Sequence, residues 1–200
     1  MSVTMSVTAW LEEQLLQRER NMGGGILCVN DFLNHRVNPE RMAELGEMLA
    51  KAFRHLNPTL VLTAEISGIA PAAFTAQILG IPFVFARKHQ PITMEDPIYR
   101  TVAPSHTKGN LIDLMVSGKV MGPKDRVLII DDFLASGSTL LALCRLVEQA
   151  GATLVGIGTA IEKKFEGGSD ALAHLGVPIV AGVTIAAMED KVGGKITLEK

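Results

Sequence analysis

Residues 127–151 read VLIIDDFLASGSTLLALCRLVEQAG, and the order of residue types in this stretch settles the class of fold. The apolar run 127–130 reads as a strand buried on both faces, and its carboxyl end delivers Asp131 and Asp132 side by side. Ala135, Ser136, Gly137, Ser138 and Thr139 then open a helix whose apolar positions are Leu140, Leu143, Leu146 and Val147 and which Gly151 ends. Ligands of an open α/β sheet bind outside the carboxyl ends of its strands. Free N–H groups of the first helical turn, the positive end of the helix dipole and the hydroxyls of Ser136, Ser138 and Thr139 together suit one phosphate group. Small-residue turns also join many strands to helices without binding anything. Adjacent carboxylates, however, repel one another and are a poor structural choice unless sugar hydroxyls or a divalent metal engage them. Neither GxxxxGKS nor GxxxxGKT is present, which excludes a nucleoside triphosphatase P-loop, and GxGxxG followed by a suitably spaced acid is also missing.

Outward from this segment, apolar runs at 60–64, 81–86, 111–116, 153–161 and 178–184 read as further strands, with a helical stretch at 71–79. A helix is predicted over 39–56, because Asn38 can cap it and Pro39 can take its first position, and its apolar face is Met42, Leu45, Leu49 and Phe53. Another is predicted over 10–20, stopped by Gly23, Gly24 and Gly25. Apolar strands alternating with helices imply an α/β fold of about five mostly parallel strands, with helices on both faces and right-handed crossovers. The polar stretch 87–110 exceeds the roughly 12 to 15 residues usual for a loop, so it is a lid candidate, the alternative being a surface excursion with a hairpin.

The chain has 200 residues, a length that favours a single domain over 1–200 and a core needing no metal or disulfide staple. Hydrophobic residues make up 48% and mean hydropathy is +0.27, which excludes low-complexity disorder. Lys and Arg total 19 against 21 for Asp and Glu, so there is no global attraction for nucleic acid or anionic lipid, and a bound anion needs a local site. Cys28 and Cys144 lie in apolar runs without a CxxC pair; they read as buried free thiols, and with no signal peptide they suggest a reducing cytoplasm. The runs 151–161 and 177–188 are shorter than the roughly 18 residues of a membrane-spanning helix and read as strands. The duplicated opening MSVTMSVT receives no function.

VLIIDDFLASGST resembles the phosphoribosyl pyrophosphate signature of type I phosphoribosyltransferases, in which two acids precede a small-residue loop ending in Thr. LCVNDFLNHRVNP (27–39), LVLTAEISGIAPA (60–72), IPFVFARKHQPIT (81–93) and IGTAIEKKF (157–165) are similar, in the expected order, to the xanthine branch of that family.

The resemblance implies the type I phosphoribosyltransferase fold with a small hood formed by about 1–37, and transfer of a 5-phosphoribosyl group to xanthine. It implies that residues Ala135, Ser136, Gly137, Ser138 and Thr139 hold the 5-phosphate, with Asp131 and Asp132 facing the ribose hydroxyls as the catalytic acids. Leu27, Asn34 and Lys163 would contact xanthine. Ser136 departs from the Thr or Asn of many members but keeps a small size and a hydroxyl.

Loss of pyrophosphate builds positive charge on the ribose and negative charge on the leaving group, so the site must stabilise anions more than supply a nucleophile. Glu65, Ser67 and Gly68 lie at another strand end where a tight turn can offer N–H groups to pyrophosphate, and Arg87 and Lys88 can neutralise it, although a solvated basic pair reads equally well from residues alone. Glu162, Lys163 and Lys164 could likewise be a solvated turn. Magnesium is expected, held mainly through the diphosphate, and a homodimer is implied by the family. His35, His55, His106 and His174 have no metal-binding spacing, and Phe133 and Phe165 adjoin the site but are read as packing residues. The competing functions are transfer to another purine (adenine, hypoxanthine or guanine) and a non-catalytic phosphoribosyl pyrophosphate-binding regulator. Too few residues precede Leu27 for a winged helix plus the hood, which favours the enzyme.

Overall fold

The computed structural model describes residues 5–104 and 111–199. Its strands in chain order are β1 (Leu60–Ala64), β2 (Phe83–Ala86), β3 (Ile98–Pro104), β4 (Leu111–Ser117), β5 (Arg126–Leu134), β6 (Thr153–Lys163), β7 (Ile179–Met188) and β8 (Ile196–Leu198). The helices are α1 (Val7–Leu15), α2 (Pro39–Phe53), α3 (Ile69–Leu79), α4 (Ser138–Gln149) and the short α5 (Gly168–Leu172).

The main sheet runs β2-β1-β5-β6-β7-β8, and its first five strands are mutually parallel, as the apolar runs predicted. Counted among themselves in chain order, these five follow 2-1-3-4-5, a doubly wound order that reverses between β1 and β5. Both faces are covered. Val61, Leu128 and Ile130 pack with Leu11 and Leu15 of α1 and Met42, Leu45, Leu49 and Phe53 of α2, whereas Leu60, Leu62, Val127 and Ile129 pack with Leu140, Leu143, Leu146 and Val147 of α4. Alternate side chains of one strand thus feed two cores, which is why the strands show continuous apolar runs instead of alternation. Truncating a wholly buried member such as Leu45 to Ala costs about 2–5 kcal/mol.

Several elements depart from the sequence reading for local reasons. Helix α1 spans Val7–Leu15 instead of 10–20, because Ser6 caps it by accepting from the Ala9 N–H at 3.2 Å. Residues 1–4 of the duplicated opening lie outside the described residues. Arg20 leaves the helix to lie in the core margin, only 6% exposed, where its guanidinium is bonded bidentately to Asp31 and lies 5.0 Å from the Phe32 ring centre. Helix α2 begins at Pro39, with the Asn38 side chain accepting from the Glu40 and Arg41 N–H groups.

The run 111–116 does not join the parallel sheet. It becomes β4, paired antiparallel to β3, so the 87–110 stretch contains one strand of a hairpin. Arg145 and Gln149 of α4 bond to Thr101, Val102 and Arg100 of β3, and Leu114 and Val116 enter the α4 core. Residues 105–110 of the lid candidate lie outside the described residues. Strand β8, unforeseen because its apolar residues are few, closes the sheet edge antiparallel to β7. Cys28 and Cys144 are half-buried instead of buried, and burial pushes the Cys144 thiol up to about 11. No helix among the described residues is long and apolar enough to cross a membrane.

Candidate active site

The crevice is built by unequal strand lengths. Pairing of β1 with β5 ends at Leu62 and Ile129, and β1 itself ends at Ala64, while β5 continues beside β6 through Asp131, Phe133 and Leu134. Asp131 and Asp132 therefore stand past the last β1–β5 pair, at the point where the strand order reverses and ligands of such sheets bind. A cavity of about 450 Å3 opens there. Leu27 and Asn34 reach it from the N-terminal segment, Glu65, Ser67, Gly68 and Lys88 from the loops after β1 and β2, Asp131 and Asp132 from the end of β5, Ala135 from the β5–α4 connection and Thr139 from the first turn of α4. Lys163 enters from the end of β6.

Asp131 is 5% exposed. Burial, followed by the adjacent charge of Asp132, holds its carboxyl well above the usual carboxylate range, and burial pushes Asp132 up as well. Such a pair retains a proton to higher pH and can accept or donate hydrogen bonds at sugar hydroxyls. Each carboxylate also accepts from the next main-chain N–H at 3.0 Å, which fixes both side chains at the strand end. The loop after β1 is pressed onto this pair, since a Cβ at Gly68 would lie 2.2 Å from Asp131 Oδ1 and from Thr63 Oγ1. Glu65 accepts from the Lys88 N–H at 2.7 Å, tying the ends of β1 and β2 together, and the Glu65–Ile66 peptide is cis.

Gly137 immediately precedes α4 with φ +80°, a left-handed conformation that turns the chain so that residues 135–139 wrap the helix N-terminus. The Ser136 and Ser138 hydroxyls lie 2.9 Å apart. Ser136, Gly137 and Ser138 are not on the cavity wall itself, whereas Ala135 and Thr139 on either side of them are. Behind the loop stands Gly168, where a Cβ would come within 2.2 Å of the Ala135 carbonyl oxygen.

Arg87 is also absent from the wall. Its main chain exchanges two hydrogen bonds with Met115 of β4, its guanidinium lies 5.8 Å from the Phe85 ring centre, and its buried Nε has no partner among the described residues. A polar stretch after a strand does not disclose that the hairpin will capture one of its residues.

The N-terminal segment is held down by side chains that sequence reading passed over. Asn21, wholly buried, donates to the carbonyls of Glu189 and Gly194, and Asp190 accepts from the Gly24 N–H at 2.6 Å. Asn34 ends a five-residue π-turn, Asn30–Asn34, whose Asp31 is anchored by Arg20. Lys163 donates to the Gly25 carbonyl at 2.7 Å, pairs with Glu166 at 3.3 Å and lies 5.4 Å from the Phe133 ring centre. Gly24, Gly25, Ile26, Ala64, Ile66, Phe133, Glu166 and the hairpin residues Pro104, Ile112 and Leu114 complete the wall, so Phe133, read from sequence as a packing residue, also faces the cavity. The Gly23 to Gly25 run signalled a helix stop only; its closeness to the site follows from contacts with residues far along the chain.

The phosphoribosyl transferase domain family matches residues 36–174. A xanthine phosphoribosyltransferase of Deinococcus deserti is 47% identical over 176 residues, 88% of this chain and 90% of that protein. One from Moorella thermoacetica is 45% identical over 97% of each chain. Among solved structures, the APRTase from Giardia lamblia complexed with 9-deazaadenine is similar in fold, with a TM-score of 0.73 at 21% identity over 92% of this chain and 100% of that one. With its acids, small-residue loop and doubly wound sheet in the arrangement described, the chain belongs to the phosphoribosyltransferase family.

Proposed function

We propose that the protein transfers the 5-phosphoribosyl group of phosphoribosyl pyrophosphate to xanthine, releasing pyrophosphate and forming xanthosine 5'-monophosphate. The observation that carries this reading is the convergence on one cavity of the Asp131–Asp132 pair, Ala135 and Thr139 at the two ends of the 135–139 loop, and Leu27, Asn34 and Lys163. Its xanthine component draws on the relatives of 47% and 45% identity.

In the reaction, the ribose C1–O bond to diphosphate breaks with its electron pair leaving on oxygen, and a C1–N bond forms to a purine nitrogen that gives up its proton. The N–H groups and hydroxyls of 135–139 hold the 5-phosphate. Asp131 and Asp132 orient the ribose hydroxyls and face the carbon where positive charge grows. The loop of Glu65, Ser67 and Gly68, with Lys88, receives the departing diphosphate. Arg87 joins it only by turning its guanidinium from the Phe85 ring toward the cavity. Asn34 supplies a donor and an acceptor to the base edge, Lys163 a cation toward a base that is partly anionic near neutral pH, and Leu27 an apolar contact.

Among the described residues there is no cluster of three or more His, Cys, Asp or Glu side chains that could cage a metal. The hard carboxylate oxygens of Asp131 and Asp132 beside the proposed diphosphate pocket fit a magnesium ion that is held chiefly by diphosphate and water. When bound, that ion offsets charge on the leaving diphosphate.

Closure of the 87–110 stretch over the reacting ribose, a homodimer and a cytoplasmic location complete the proposal. Closure predicts that phosphoribosyl pyrophosphate with magnesium protects that stretch from proteolysis, and a sedimentation experiment giving a monomer would remove the dimer. The deciding assay measures pyrophosphate release with xanthine, hypoxanthine, guanine and adenine in parallel. Release fastest with xanthine supports the reading. A preference for adenine, the base named in many of the related solved structures, would move the protein to another branch of the same family.

A further inference from the structure

We propose that Glu162 is a positioning residue for the phosphate loop, acting through Ser169 and Gly168. The inference rests on the reading of residues 135–139 as the 5-phosphate site and deepens it.

Glu162 and Lys163 end β6, and successive side chains of a strand point to opposite sides. Lys163 faces the cavity, whereas Glu162 is not on its wall. A solvated carboxylate has no need of protein donors, yet Glu162 is half-buried and collects two hydroxyls from different elements. Its Oε1 accepts from Ser169 Oγ and its Oε2 accepts from Thr184 Oγ1 at 3.1 Å. Hydrogen bonds to a charged acceptor are the stronger kind, and leaving such a group half-satisfied is costly.

Ser169 is the second residue of α5, and the first, Gly168, is the backing of the phosphate loop. A Cβ on Gly168 would lie 2.2 Å from the Ala135 carbonyl and 2.9 Å from the Gly137 nitrogen, while one on Gly137 would lie 3.2 Å from the Gly168 carbonyl oxygen. Two backbones in such contact move together. The far end of α5 is pinned by Leu172, 1% exposed in the α4 core. Glu162 thus fixes the near end, and with it the place where the loop carrying Ser136 and Ser138 comes to rest. One strand terminus serves the proposed base subsite with Lys163 and the proposed phosphate subsite with Glu162.

The test compares the steady-state kinetics of the full chain with those of Glu162→Ala, Glu162→Gln, Ser169→Ala and the Glu162→Ala, Ser169→Ala double variant, varying each substrate at saturation of the other. Expected is a rise of about tenfold in KM for phosphoribosyl pyrophosphate in Glu162→Ala, equivalent to about 1.4 kcal/mol, with KM for xanthine nearly unchanged. Gln, which can accept from one hydroxyl and donate to the other, should restore most of the loss. Ser169→Ala should raise the same constant, and the double variant should be no worse than Glu162→Ala. An equal rise in both constants, or none for phosphoribosyl pyrophosphate in a folded variant, overturns the inference. If Glu162→Ala does not fold, Ser169→Ala alone decides by the same criterion. A wild-type protein that turns over no phosphoribosyl pyrophosphate would instead sink the reading of 135–139, and the inference with it.

Discussion

The ammonium of Lys163 donates to the carbonyl oxygen of Gly25 across 2.7 Å, joining the end of a central strand to a segment 138 residues earlier in the chain. Since Lys163 also pairs with Glu166, two of its three donors are engaged before any base arrives, and one remains for a ligand carbonyl. The lysine therefore both fastens the wall of the cavity and presents charge inside it.

Lys163→Met keeps an apolar stem over Phe133 but removes this fastening. Amide hydrogen exchange at residues 23–27 should accelerate, and the loss in catalytic efficiency should be greater for xanthine than for phosphoribosyl pyrophosphate. Unchanged exchange would mean that the bridges of Asn21 and Asp190 suffice to hold the segment.

Asn34→Ala should lower kcat/KM for xanthine by about 100-fold or more, because a site that pairs with polar groups on its substrate loses heavily when one side is removed. Affinity for phosphoribosyl pyrophosphate should be nearly untouched. Equal loss toward both substrates would identify Asn34 as a structural member of the π-turn.

Asp131→Asn should separate stability from activity. The carboxyl of Asp131 is raised by burial and by Asp132, so its stabilising contribution is full below the ordinary carboxylate range and is lost as pH rises through the raised pKa. At neutral pH the wild-type protein bears that cost, and the amide does not. Thermal melts should show a higher Tm for the variant at pH 7 and little difference near pH 4, each 1 kcal/mol recovered giving about 2–4 °C in a chain of this size. Turnover should nonetheless fall. A variant that melts lower than wild type at pH 7 would refute the assignment of a destabilised carboxyl.

Gly137→Ala places a side chain at φ +80°, where L residues cost about 1–2 kcal/mol, and drives its Cβ to 3.2 Å from the Gly168 carbonyl oxygen. Raised KM for phosphoribosyl pyrophosphate with an intact circular dichroism spectrum is the expected result. If that constant stays at its wild-type value, the phosphate binds elsewhere.

The reading of Asp131, Asp132 and the 135–139 loop needed no tertiary information, because a buried apolar run, two acids and a small-residue helix start are all local signals. The five parallel strands were legible for the same reason, since burial on both faces writes itself into consecutive residues such as 127–130. Helix α2 could be read to its first residue from Asn38 and Pro39. Other features depended on residues remote in sequence. The run 111–116 pairs with β3, itself bonded to Arg145 and Gln149 of α4, and no feature of the run announces that partner. The seating of the Gly23–Gly25 region, the capture of the Arg87 main chain by Met115 and the half-buried anchoring of Glu162 likewise arise from long-range contacts. By itself the sequence determined which strand end carries the paired acids and the small-residue loop; only the tertiary structure decided which backbones close around it. Periodicity records a residue's own burial, whereas a hydrogen bond between distant segments requires both to be brought together by the cores on the two faces of the sheet.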